Sequence, residues 1–246
     1  MTSLHNAIVS MLTGGPWTVR NVDGIKPFTV ETTIGLLVKA CKTFRAIQIL
    51  CEHGLVDDAQ ALLRVLLETS VAIVFILQRD SNARALTFHA YGVSQKIKMA
   101  NHWNGIPELR GKIPDVTLRR QKEILDGYKA RLPAGTDVEH HWSGMRNLQQ
   151  AMQAVEQDAV YATIFRLASS SVHVSDFAAH FDVKPGTDDF IWQLEPLVDG
   201  FQGPASTACQ LLFSAANRIN ERLDLGLSEA LAPWKLAFDK DESGER

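Results

Sequence analysis

The segment Tyr161-Ala-Thr-Ile-Phe-Arg166-Leu-Ala-Ser169-Ser170-Ser171-Val-His173 sets a permanent cation, three hydroxyls and a titratable imidazole at the end of an apolar run. Seven positions carry the chain from Arg166 to His173. That is almost two helical turns, so a helix continued through the segment would turn both side chains the same way. Such a pair could bind a phosphate or cut an RNA backbone. The guanidinium would hold phosphate oxygens bidentately and offset developing charge. The imidazole would take the proton of a ribose 2′-hydroxyl or return one to the leaving oxygen. Ser169 and Ser170 would add hydrogen bonds to the ligand. The same residues also suit an ordinary capped helix end, and Arg84 with His89 repeats the arginine–histidine pattern at a spacing of five.

A second constellation lies in the most apolar stretch of the chain, where Arg64 and Glu68 sit four positions apart and share a helix face. A charge in such a helix needs compensation, because burying it unpaired is costly. One reading is an intrahelical salt bridge that also fixes a neighbouring helix. The other makes Glu68 a general base or ligand group oriented by Arg64. Val138-Glu139-His140-His141-Trp142 gathers an acid and two imidazoles in a loop, but no HExxH or other ligand spacing accompanies them, so no metal is expected. No Walker loop, no GxGxxG after a strand and no GxSxG elbow occurs, so nucleotide-cofactor enzymes and α/β-hydrolases are poor readings and no cofactor is expected.

The elements that must position these groups read as helices. From Glu31 to His53 apolar residues recur at helical spacing, and Gly54 supplies a stop. Asp57 with Gln60 resembles a capping box opening a second helix to about Arg79, folded back on the first as a hairpin. A third helix is expected from Asn82 to His102, broken at Asn104-Gly-Ile-Pro107, and His89 and His102 read as its surface residues. The charged stretch Val116 to Arg131 reads as a solvated outer helix. Residues 143–171 look helical. Residues 174–200 form a long connection with a small hairpin around Pro185-Gly-Thr. Helices over Pro204 to Leu223 and Ser228 to Phe238 complete the set.

The expected architecture is all-α, a single-domain helical bundle of about six or seven main helices. An irregular N-terminal arm (1–27) precedes the helical domain (28–238), and a disordered tail (239–246) follows it. The core is expected from helices over 31–53, 57–79, 159–171 and 204–223. Net charge is −3, so no global positive field draws in nucleic acid, and such a role would need a local basic patch. Three cysteines without a CxxC spacing fit a reducing compartment, and the absence of a signal-peptide pattern points to a cytoplasmic protein. The stretch from Ala59 to Leu77 is interrupted by Gln60, Arg64 and Glu68 and reads as a core helix rather than a membrane span.

Two families resemble parts of this pattern. Arginine, four to six residues, then histidine marks the HEPN-type helical ribonucleases, with Arg166 and His173 the matching pair. Leu167 departs from that family, which favours a polar residue, typically asparagine, directly after the arginine. The HEPN resemblance implies metal-independent RNA cleavage in a defence or toxin setting, in a cleft often shared by a homodimer. Gly54-Leu-Val-Asp-Asp58, the helix Ala59-Gln-Ala-Leu-Leu-Arg64-Val-Leu-Leu-Glu68-Thr, and Arg166 followed by Ser169 to Ser171, Val172 and His173 resemble a bacterial helical family of unknown function, DUF5677. That resemblance spans about residues 30–225 and implies an all-helical fold without an assigned activity. It suggests that Arg64, Glu68, Arg166 and His173 converge in one site for an anionic or nucleotide-like ligand. Glu68, Arg166 and His173 would then be the catalytic groups, with Arg64, Ser169 and Ser170 binding the ligand. The rival reading is a non-catalytic interaction or scaffold protein in which the same residues form a structural network.

Overall fold

The computed structural model describes residues 2–13, 24–170, 181–184, 186, 189–192, 200 and 202–243. Within them the all-helical bundle is borne out. Helix α1 spans Thr2–Thr13, α2 Pro27–Glu52 and α3 Val56–Gln78. Helices α4 and α5 follow at Ser81–Gly105 and Asp115–Lys129, then α6 at Leu148–Gln153. The next helical stretch runs through α7 (Asp158–Val160), a π-helical turn (Tyr161–Phe165) and α8 (Arg166–Ser170). A two-stranded antiparallel hairpin, β1 (Phe181–Val183) and β2 (Phe190–Trp192), pairs Phe181 with Trp192, and α9 (Gln202–Leu223) and α10 (Ser228–Ser243) close the chain. The hairpin lies where Pro185-Gly-Thr led us to expect it.

Helices α2, α3 and α9 pack on one another and carry the core. Helix α3 buries Leu63, Leu66, Leu67, Val71, Ile73 and Ile76, so most of its circumference is out of water. Its length and composition would also suit a membrane span, but 61% of that apolar window is buried inside this fold. Helix α9 presents Ala205, Ala208, Ala215 and Ala216 with Leu212 and Ile219, small side chains that let neighbouring backbones approach closely. The Ser70 hydroxyl of α3 donates to the Leu211 carbonyl of α9 at 3.0 Å. Helix α5 lies on α4 and buries Leu125 alone, in agreement with its reading as an outer layer.

Two boundary expectations are corrected. The irregular arm expected over 1–27 is helical from Thr2 to Thr13, with Leu4 and Ile8 fully buried beside α2 and α10. Leu4 and Ile8 lie one turn apart and make an apolar stripe, and the glycines and Pro16 interrupt the chain only after that helix has ended. The tail expected from Asp239 is helical to Ser243, because Lys240 and Glu242 extend a helix at little cost. The capping box at Asp57 does not open α3 either. Leu55 occupies the cap, and Asp57 and Asp58 sit in the first turn, where the helix dipole favours negative charge.

The connection from α2 to α3 is a Schellman turn. The Leu55 amide donates to the Leu50 carbonyl at 2.9 Å and the Gly54 amide to the Cys51 carbonyl at 3.1 Å, with Gly54 at φ 74°. This turn folds α3 back along α2. A side chain at Gly54 would strain a left-handed backbone, so Gly54→Ala is expected to lower unfolding free energy by about 1–2 kcal/mol. The shift of the urea midpoint at constant slope measures it.

Candidate functional site

Arg64 and Glu68 occupy one flank of α3, both half-buried. They do not pair. Among the described residues no ion pair joins them, and each has found a tertiary partner instead. The Arg64 guanidinium lies over the Phe165 ring, with Cζ 4.9 Å from its centroid. The Glu68 carboxylate accepts the Trp142 indole N–H at 3.0 Å. A flat cation gains from an aromatic face and from shedding little hydration, while a carboxylate gains most from a donor at hydrogen-bond distance. The expected intrahelical bridge is therefore replaced by two contacts reaching in different directions along α3.

The first contact brings in the segment that carries Arg166. The π-helical turn and α8 pack against α3, and Ala168 is buried at that junction. Tyr161 stacks on Phe165 at 4.8 Å between centroids and 14° between planes. Arg166 follows directly and is exposed. The Ser169 hydroxyl donates to the Phe165 carbonyl at 2.6 Å, which ties its proton to the helix backbone. The backbone of Ser170 ends α8, and His173 falls outside the described residues, so the expected convergence of Arg166 with His173 does too. A π-turn widens the helix by one residue per turn and disturbs its hydrogen-bond ladder. Such turns occur frequently at functional sites.

The second contact brings in the loop after α5. Trp142 is 6% exposed and packs edge-on against Phe75 of α3, with centroids 5.7 Å apart. His141 lies against the indole at 4.7 Å. The Met145 amide donates to the Ser143 hydroxyl oxygen at 3.2 Å, and that hydroxyl lies 2.7 Å from His141 Nδ1. The Ser143 amide donates to the same Nδ1 at 3.4 Å, which makes Nδ1 an acceptor, and a neutral His141 carries its own proton on Nε2. Burial pushes the His141 pKa below its ordinary value, while the Glu68 charge acts in the opposite direction. His140 instead faces Asp137, with Nδ1 2.6 Å from Oδ2. The Asp137 carboxyl is held below its usual range, first by the Glu139 amide and further by His140. The two histidines serve different partners, and no group of three or more metal-ligating side chains occurs among the described residues.

His89, expected on a helix surface, and Arg84, its partner in the repeated arginine–histidine pattern, both turn out to be structural. Arg84 donates to the Phe75 carbonyl, lies within 3.3 Å of Gln78 Oε1, and covers the Phe75 ring at 3.8 Å. It thereby closes the last turn of α3 from the next helix. The Thr32 hydroxyl donates to the Phe28 carbonyl at 2.6 Å, so at 2.7 Å it accepts from His89 Nε2. Their i+4 neighbours in sequence gave no sign of these partners, because the partners come from other helices.

Residues 31–190 match a family of unknown function (DUF5677), and the chain belongs to that family. No curated protein and no solved structure matches it.

Two measurements follow from this geometry. Trp142→Phe puts a smaller aromatic ring in place of the indole and removes the N–H that Glu68 accepts. A double-mutant cycle with Glu68→Gln is expected to give a coupling of about 1 kcal/mol in unfolding free energy. The second concerns pH. Burial lowers the folded pKa of both His89 and His141 below that of an ordinary exposed imidazole. The unfolded chain therefore binds protons first, so their contribution is fully present above about pH 6.5 and is lost as pH falls through the lowered folded values. Melting temperature should decline on acidification from pH 7 to pH 5, and His89→Gln with His141→Gln should flatten that decline.

Proposed function

We propose that this member of the DUF5677 family binds an anionic, nucleotide-like ligand at the flank of α3 where Arg64 meets Phe165, with Arg166 next in sequence. We further propose that it acts there as a metal-independent ribonuclease of the HEPN kind. The observation that carries the binding reading is the state of Arg64. It is a half-buried guanidinium set on an aromatic face, with no carboxylate within ion-pair distance among the described residues. Glu68, the acid that its sequence position offers, is engaged by Trp142 instead. A cation held partly out of water without a counter-ion favours an anion from solution, and a phosphate matches the donor fork of arginine. Arg166, exposed and next in sequence to Phe165, supplies a second cation on the helix that packs against α3.

In the catalytic part of this reading Arg166 holds the scissile phosphate and offsets its charge, and His173 moves the proton of the 2′-hydroxyl. Two copies of the chain would share the cleft, so the active species would be a dimer. A second reading has its own support in the Trp142–Glu68 bond. It makes this constellation a strut that fastens the loop after α5 to α3, in a protein that serves as a scaffold.

Purified protein incubated with single-stranded RNA in excess chelator separates the two. The ribonuclease reading expects cleavage that Arg166→Ala and His173→Ala each reduce at least a hundredfold, with melting temperatures unchanged, and expression that arrests growth only in the unmutated form. Intact RNA, together with a lowered melting temperature in Glu68→Gln, would leave the scaffold reading standing.

A further inference from the structure

We infer that the ligand of the α3 flank is a nucleoside phosphate held by its base as well as its phosphate, with Tyr161 supplying the stacking surface. This rests on the binding reading above and names its ligand class. The observation is the arrangement around Phe165. Its ring is stacked on Tyr161 at 4.8 Å and 14°, and is covered by the Arg64 guanidinium at 4.9 Å. Both rings are half-buried, so each keeps part of its surface in contact with solvent.

Arg64 therefore covers one of a pair of parallel rings, and the exposed Arg166 continues the chain directly from Phe165. The contrast with Arg84 is instructive. Arg84 also covers a phenylalanine, but its N–H groups are taken by the Phe75 carbonyl and approached by Gln78, which makes it a strut. Arg64 has the ring contact and, among the described residues, no hydrogen-bond acceptor. Its N–H edge remains available beside an aromatic surface.

An inorganic anion would use the guanidinium groups and leave the rings idle. A ligand that joins an anion to a flat π-system uses both, and a nucleobase linked to phosphate has that composition. Stacking on an aromatic side chain tolerates any base, because every base offers a π-face. Recognition of this kind would be insensitive to sequence and sensitive to salt. The π-helical register of Tyr161–Phe165 belongs to the same segment, so the irregular turn carries both rings.

The two sources of such a ligand are a free nucleotide and single-stranded RNA. Calorimetric titration of the full chain with inorganic pyrophosphate, with adenosine monophosphate and with a short uridine oligonucleotide distinguishes them. Tyr161→Leu is expected to weaken the monophosphate and the oligonucleotide about tenfold and to leave pyrophosphate unchanged. Arg64→Met should weaken all three. Tyr161→Phe keeps the ring and should bind as the unmutated protein does, which separates loss of stacking from a folding defect. Tighter binding of the oligonucleotide than of the monophosphate assigns RNA as the source, and the reverse assigns the free nucleotide. If pyrophosphate binds and Tyr161→Leu leaves every affinity unchanged, the base-stacking inference is overturned while the anion site survives. If the unmutated protein binds none of the three, the proposed function itself fails.

Discussion

Burial of α3 between α2 and α9 is the constraint on which the rest of the structure depends. This helix carries a continuous apolar surface that must leave water, and each fully buried leucine or isoleucine on it contributes on the order of 2 kcal/mol. The alanines of α9 allow the close approach, and the Schellman turn at Gly54 brings α2 alongside. Once α3 is enclosed, the two charged residues beyond its first turn can lie only at the edge of the enclosure. Arg64 and Glu68 are half-buried for that reason, and elements added later in the chain must satisfy them or leave them open to a ligand.

The same enclosure explains how helix ends are finished. Helices α2, α3 and α4 have no side-chain cap of their own at the N-terminus. The entry to α2 is instead closed by Asn82 of α4. Its Oδ1 accepts from the Lys26 amide at 2.9 Å and from the Thr29 hydroxyl at 2.8 Å, and its amide donates to the Gly24 carbonyl at 2.7 Å. Arg84 closes the end of α3. Asn220 of α9 accepts from the Leu227 amide at 2.9 Å and donates to Ser228, which sets the turn into α10. Polar groups on one helix thus finish the ends of another, so the helices become well defined only together.

How much of the site was legible follows from this. Four-residue spacing put Arg64 and Glu68 on one face, and the acid and imidazoles of 138–142 were visible as a polar loop. Their actual partners were not, because Phe165 lies 101 positions from Arg64 and Trp142 lies 74 from Glu68. The apolar ring that holds a cation reads in sequence as one more core residue. The tryptophan that holds the carboxylate reads as part of a histidine cluster. His89 was misread for the same reason, since a polar residue on a half-buried helix face looks like a surface residue until the neighbouring helix is in place.

The sequence alone determined what depends on neighbours a few residues away: the helical class, most helix boundaries, the stop at Gly54, the hairpin turn around Pro185-Gly-Thr and the outer position of the charged helix. Periodicity, turn chemistry and propensity act over one or two turns, so they can be read along the chain. Only the tertiary structure decided that Arg64 would rest on Phe165 rather than bond Glu68, that Trp142 would claim the carboxylate, and that the turn carrying Tyr161 and Phe165 would pack against α3. Those outcomes are competitions between partners distant in sequence. They are settled by which side chains the buried apolar surfaces bring within a few ångströms of one another.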